Sequence, residues 1–195
     1  MNIIVNIHFS NLENQHTEGD LQVTSSLNRE VRGSSTIQNP EMGRKGYVMD
    51  VALLQQSFAE VKPQQEAFAE AFYRRLFALY PQTIPLFATT NMKRQQSLLM
   101  ATLELVVAGV ARGDNVIPSV EQLGRRHAIY GVKAEHYPMV GQALLETFKQ
   151  FLQDKWTAQV EATWAQAYAM ITDLMRRAGE RHLIAINTPV ENSRV

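Results

Sequence analysis

The polar groups with the chemistry to matter stand apart in the chain and in mostly apolar company. His127 lies in LGRRHAIYG, residues 123–131, beside Arg125 and Arg126. An imidazole is a metal ligand and an acid–base group near neutral pH. By spacing alone, though, a histidine ending a short helix reads as a surface residue. Tyr73, flanked by Phe72 and Phe77, sits in an apolar helix face, where a tyrosine is ordinarily core with its hydroxyl satisfied. Taken singly, Gln95 beside Arg94 and Gln96 reads as surface, and Phe87 reads as core packing. No phosphate-binding glycine loop, HExxH or ExxH pair, or GxSxG elbow is present, so hydrolytic and phosphoryl-transfer chemistry lack support. The chain has 0 cysteines, which excludes disulfides, thiolate metal sites and cysteine nucleophiles.

Helices must position these groups. Asp50 can cap VALLQQSFAEV, which places Leu54, Phe58 and Val61 on one stripe. Pro63 suits the first turn of a second helix, with Phe68, Phe72, Leu76 and Leu79 aligned. Pro81 and Pro85 bracket a short turn, PQTIPLF. A third helix runs from about Met92 to Ala111, and Gly113, Asp114 and Asn115 break it. Ser119, with Gln122 three residues on, forms a capping box for a short helix that Gly131 ends. Two long helices follow, over about 135–154 and 157–178. The residues from Gly179 to Val195 are polar and lack apolar periodicity.

The first 48 residues have a different texture, rich in Asn, Ser, Thr, Glu and Gly without helical spacing. Such a segment buries too little apolar surface to offset its ordering entropy, so a mobile extension is expected. Its start, Ile3, Val5, Ile7 and Phe9, alternates as a short strand would. The domain order read from the sequence is therefore extension 1–48, helical domain 49–178 and tail 179–195. With 195 residues, 45% hydrophobic, the chain suffices for one domain with a real core. Lys plus Arg and Asp plus Glu both number 19, so no basic excess points to nucleic acid or an anionic membrane. No apolar run is long enough to cross a membrane, and MNIIVNIHFS lacks a basic start, so the expected location is the cytoplasm.

Four segments, in their order and spacing, resemble the globin family. FYRRLFALYPQTIPLF, residues 72–87, is similar to its second and third helices. MKRQQSLLM, residues 92–100, looks like the distal helix of bacterial single-domain globins. LGRRHAIYGV, residues 123–132, is similar to their proximal-histidine segment and to that of neuroglobin. HYPMVGQALLETF, residues 136–148, resembles the helix that follows. The resemblance spans about residues 49–178. It implies an all-α globin fold, a three-over-three helical sandwich with a flexible N-terminal extension.

The same resemblance implies haem b, its iron held by His127 with the opposite face open. Phe87 would stack on the porphyrin, Leu99 would line the ligand side, and Val132 would pack near the proximal edge. Tyr73 and Gln95 are carried over as the distal hydrogen-bonding pair. Arg94 is the alternative by register, but the Leu99–Met100 step favours Gln95. Tyr137 matches a flavohaemoglobin tyrosine grouped with the proximal histidine and a late glutamate, whose counterpart here, Glu180, is one residue off; simple packing at a helix start is the other reading. The implied ligands are dioxygen, nitric oxide and carbon monoxide. The implied function is reversible, slow-releasing oxygen binding, with nitric oxide dioxygenase activity if an external reductase supplies electrons. No flavin or nicotinamide segment follows the helical region. The alternative is a gas or redox sensor acting through a protein partner. A haem-free interaction module is a third reading, which retention of His127 disfavours.

Overall fold

The computed structural model describes residues 49–188. The expected N-terminal extension and its short strand lie outside the described residues.

Six α-helices carry the fold: α1 Val51–Val61, α2 Gln65–Leu79, α3 Met92–Arg112, α4 Ile117–Ile129, α5 His136–Leu152 and α6 Ala158–Asn187. No strand occurs among the described residues. Each start has a local cause. The Asp50 carboxylate accepts the Leu53 N–H at 2.9 Å, as expected. A 3-10 turn, Lys62–Gln64, holds Pro63 and links α1 to α2. Pro81–Phe87 is not a bare turn but a 3-10 helix of 7 residues, a form that suits two prolines. Asn91 caps α3 by accepting the Arg94 N–H at 3.0 Å.

The start of α4 differs from the expected capping box. The helix begins at Ile117 with Pro118 in its first turn, so Ser119 is already inside it. The proline ring is set for that position, and the Asn115 side chain accepts the Ile117 N–H at 3.2 Å. The last helix also runs past Ala178 through Asn187. Gly179 looks like a breaker in sequence, but here it permits close packing: an added Cβ would lie 3.0 Å from the Ala128 Cβ. Arg176–Glu180 and Arg177–Asp173 pairs at helical spacing support this stretch.

Pairing of the helices builds a three-over-three sandwich. α1 pairs with α3, α2 with α5, and α4 lies along α6. α2 also crosses α3, and α1 touches α5 and α6, so the two sets of three face each other. Phe58, Phe68, Phe72, Leu76, Phe148 and Trp164 form the centre of the core. These come from the apolar stripes of four different helices, which is why the stripes predicted the core well.

The tightest contact is α4 on α6. A Cβ on Gly124 would fall 2.1 Å from the Met175 carbonyl oxygen, a backbone atom that cannot move aside cheaply. Gly124→Ala should therefore cost about 1–3 kcal/mol by overpacking and lower the melting temperature by roughly 5–10 °C. Gly131 makes a useful comparison: its φ is +81° but nothing lies within 4 Å of an added Cβ. Gly131→Ala should cost only the left-handed conformation, about 1 kcal/mol. Thermal unfolding followed by circular dichroism checks the order; equal effects would contradict it.

Candidate functional site

A cavity open at its mouth lies between the helices, its empty space about 1200 Å³ when the open solvent at the mouth is included. Its wall is almost wholly apolar. Phe87 closes one part from the 3-10 helix, Leu99 and Leu103 line it from α3, and Val132 and Val140 line it from the start of the α5 region. His127 enters from α4.

The helix that carries His127 also orients it. The imidazole Nδ1 lies 2.9 Å from the Leu123 carbonyl oxygen, one turn back on α4. A carbonyl can only accept, so Nδ1 carries the proton and donates. The other nitrogen, Nε2, keeps its lone pair. Burial pushes the imidazole down to about 4, with the Leu123 bond opposing, so the ring is neutral at physiological pH. The surface reading of His127 therefore fails: its residual exposure is to the cavity it lines. Tyr137 stacks beside it, ring centres 6.4 Å apart. Burial, and next the negative charge of Glu180, push the Tyr137 phenol up to about 12, with Arg176 opposing. Glu180 is thus near the position the sequence left in doubt, and its carboxylate binds Arg176 at 2.8 Å.

Tyr73 and Gln95 meet, 22 positions apart in sequence, as a buried hydrogen-bonded pair. The Gln95 amide donates to the Tyr73 hydroxyl at 2.9 Å. Gln95 is 1% exposed, so the surface reading of that residue is also overturned. The Asn91 cap sets the register of α3: Arg94 turns to solvent, and Gln95 turns inward. Phe72, Phe77 and Phe87 ring Tyr73 at centroid distances of 4.8, 6.0 and 5.6 Å. Burial raises the phenol's pKa above its ordinary value, so it stays a proton donor. The Gln95 Oε1 finds no partner among the described residues.

The expected residues thus fall into two groups. Phe87, Leu99, His127, Val132 and Tyr137 line the cavity. Tyr73 and Gln95 form their own buried pair and are not among the lining residues; Phe87 packs against Tyr73 and joins the two groups. Sequence reading missed His136, which also lines the cavity. Its Nδ1 accepts the Lys133 N–H at 3.0 Å, which leaves the proton on Nε2. Trp164 and Tyr168 were missed too. Trp164 was legible only as part of a core stripe, which is the same pattern a cavity wall shows.

The donor set constrains what the cavity can hold. No cluster of three or more His, Asp or Glu able to bind a metal occurs among the described residues. One imidazole with a free nitrogen cannot retain a bare cation in an apolar slot. It can complete the coordination of a metal that brings its other ligands in a flat apolar group.

Comparison with known proteins gives the same answer. The sequence model of the globin family matches residues 70–175. The flavohemoprotein of Bacillus subtilis is 31% identical over 125 residues, 63% of this chain and 31% of that protein. The flavohemoprotein of Bacillus cereus is 34% identical over 125 residues, 63% of this chain and 29% of that protein. The chain therefore spans about a third of the length of the curated relatives it matches. A solved structure from Pseudomonas aeruginosa, described as structurally highly homologous to a human hemoglobin, is 25% identical with a TM-score of 0.59, covering 66% of this chain and 96% of that one. Since the family match covers more than half of the chain, from within α2 into α6, this chain belongs to the globin family.

Proposed function

We propose that the chain is a haem b globin that binds dioxygen reversibly with slow release, and that it converts nitric oxide and dioxygen to nitrate when another protein supplies electrons. The observation that carries this reading is His127, held by Leu123 through Nδ1 and lining an apolar cavity that offers no competing metal site among the described residues. Haem, when bound, supplies an iron with one open position for a diatomic ligand and one-electron redox chemistry.

The chain's own residues do the rest. His127 would hold the iron, and its bond to Leu123 fixes both tautomer and ring plane. Phe87, Leu99 and Val132 line the cavity and would keep water from a group held there. The Tyr73 phenol and Gln95 amide, which adjoin the cavity through Phe87, would be the donors for a polarised oxygen ligand. Their mutual bond holds both in place, and the dry surroundings strengthen each donor. Tyr137 stacks on the imidazole. For the dioxygenase reaction, nitric oxide, dioxygen and one electron give nitrate; the electron comes from a reductase.

His127→Ala should bind hemin weakly and lose the axial-histidine signature in the ferrous visible spectrum, with added imidazole restoring it. Unchanged ligation in that variant would refute the assignment. Each distal hydrogen bond is worth about 0.5–1.5 kcal/mol. Tyr73→Phe and Gln95→Leu should each speed oxygen release about three- to tenfold in laser photolysis or stopped-flow. Carbon monoxide release should change less, because that ligand is less polarised. Mixing the oxygenated protein with nitric oxide should produce ferric protein and nitrate within the mixing time; a slow or absent ferric product would exclude the dioxygenase reading while leaving oxygen binding intact.

A further inference from the structure

A line of aromatic rings joins the cavity to the surface on the side of α5 and α6. Trp164, 3% exposed, lines the cavity. Its ring stacks on Phe148 with centroids 3.9 Å apart and planes 28° apart. Phe148 in turn lies nearly parallel to Trp156, at 6.4 Å and 3°. Trp156 is half-buried and sits at the turn between the two helices.

The two indoles differ in what can take their proton. The Trp164 Nε1–H donates to Ser57 Oγ at 2.9 Å. That hydroxyl already donates to the Leu53 and Leu54 carbonyls, so it is no base. The Trp156 Nε1–H donates to the Glu161 carboxylate at 3.2 Å. An indole that loses an electron becomes a strong acid. At Trp164 the positive charge would have to stay in an apolar core, at high cost. At Trp156 the proton passes to Glu161 and the radical is left neutral beside solvent. The gradient therefore runs outward. Tyr168 also lines the cavity, but its hydroxyl donates to the Tyr137 peptide carbonyl at 2.6 Å, which cannot accept a proton outright.

We infer that Trp164, Phe148 and Trp156 form an exit for oxidising equivalents from the cavity, and that Trp156 exchanges electrons with phenolic reductants at the surface. This rests on the reading that haem occupies the cavity. The reaction balances as follows. One hydrogen peroxide and two phenols give two waters and two phenoxyl radicals; the peroxide O–O bond breaks, and each phenol gives up one electron and one proton. For each electron, Trp164 is oxidised first and then refilled by Trp156 across the Phe148 stack. Trp156 places its Nε1 proton on Glu161 and recovers electron and proton from the phenol; Glu161 then releases its proton to solvent, matching the proton from solvent that the peroxide oxygen takes up as it becomes water. The exit spares the buried core, and it serves donors too bulky to enter the cavity.

The test uses the full chain loaded with hemin, its visible spectrum recorded first. Hydrogen peroxide is added with a spin trap, and adducts are located by peptide mass spectrometry. The expected result is an adduct at Trp156 and none at Trp164. It should be absent from hemin-free protein and lost in Trp164→Phe and Phe148→Leu. Glu161→Gln, a surface change that leaves the hemin spectrum intact, should also lose the Trp156 adduct, and it keeps the test decisive if a core variant fails to fold. An adduct at Tyr137 or Tyr168 in place of Trp156, an equal Trp156 yield without hemin, or an unchanged yield in Glu161→Gln would overturn the inference. A chain that takes up no hemin shows this in the first spectrum, which is failure of the cofactor reading and distinct from failure of the exit.

Discussion

Gly124 rests so near the Met175 backbone that α4 lies on α6 with no side chain between them. Gly179 meets Ala128 and Gly124 in the same way one turn further along. Interiors pack at crystal-like density, so this contact leaves α4 little freedom to slide or turn. His127 stands one residue before Ala128, and Met175 lines the same cavity as the imidazole. The placement of the His127 imidazole therefore depends on two absent side chains. The Leu123 carbonyl then fixes the ring about its own bonds. Helix position and ring orientation come from separate interactions, both local to α4 and its neighbour.

Polarity is rationed in this site. The cavity wall is nearly all apolar, and its few polar side chains are committed. Nδ1 of His127 donates to a carbonyl, Nδ1 of His136 accepts a peptide N–H, and the Tyr168 hydroxyl donates to a peptide oxygen. Beyond the wall, the amide of Gln95 is tied to Tyr73. Each commitment leaves a defined remainder: a lone pair on His127 and a phenol proton on Tyr73. Gln95 Oε1 is the exception, a buried acceptor with no donor among the described residues. Such an atom costs on the order of 1–3 kcal/mol. Globular cores tolerate that cost chiefly where a ligand or water completes the bond.

Aromatic residues serve two regions. Phe72, Phe77 and Phe87 pack about Tyr73, while Phe68, Phe148, Phe151 and the two tryptophans fill the space among α2, α5 and α6. Phe87 belongs to the first group and to the cavity wall together, so the buried pair and the cavity share a rigid boundary. The second group reaches from the cavity to the turn after α5. Rings chosen for packing thus also bring oxidisable side chains into contact.

Apolar periodicity in the sequence was enough to determine the helical class, the order of six helices and most of the core, because a stripe at helical spacing can be buried in only one way. Local chemistry also determined the Asp50 cap and the break at Gly131. The start of α4 was misread because Ser119 matches a capping box, and only the structure shows Pro118 and Asn115 meeting that need first. Gly179 was read as an end because a glycine's role depends on what faces it; here the facing atoms belong to α4. His127 and Gln95 looked like surface residues one at a time, since spacing along one helix carries no record of the neighbouring helix. Tertiary structure alone decided their burial, the pairing of Gln95 with Tyr73, the size of the cavity and the presence of His136 and Trp164 in its wall. These are relations between residues tens of positions apart, and they exist only once the helices have packed.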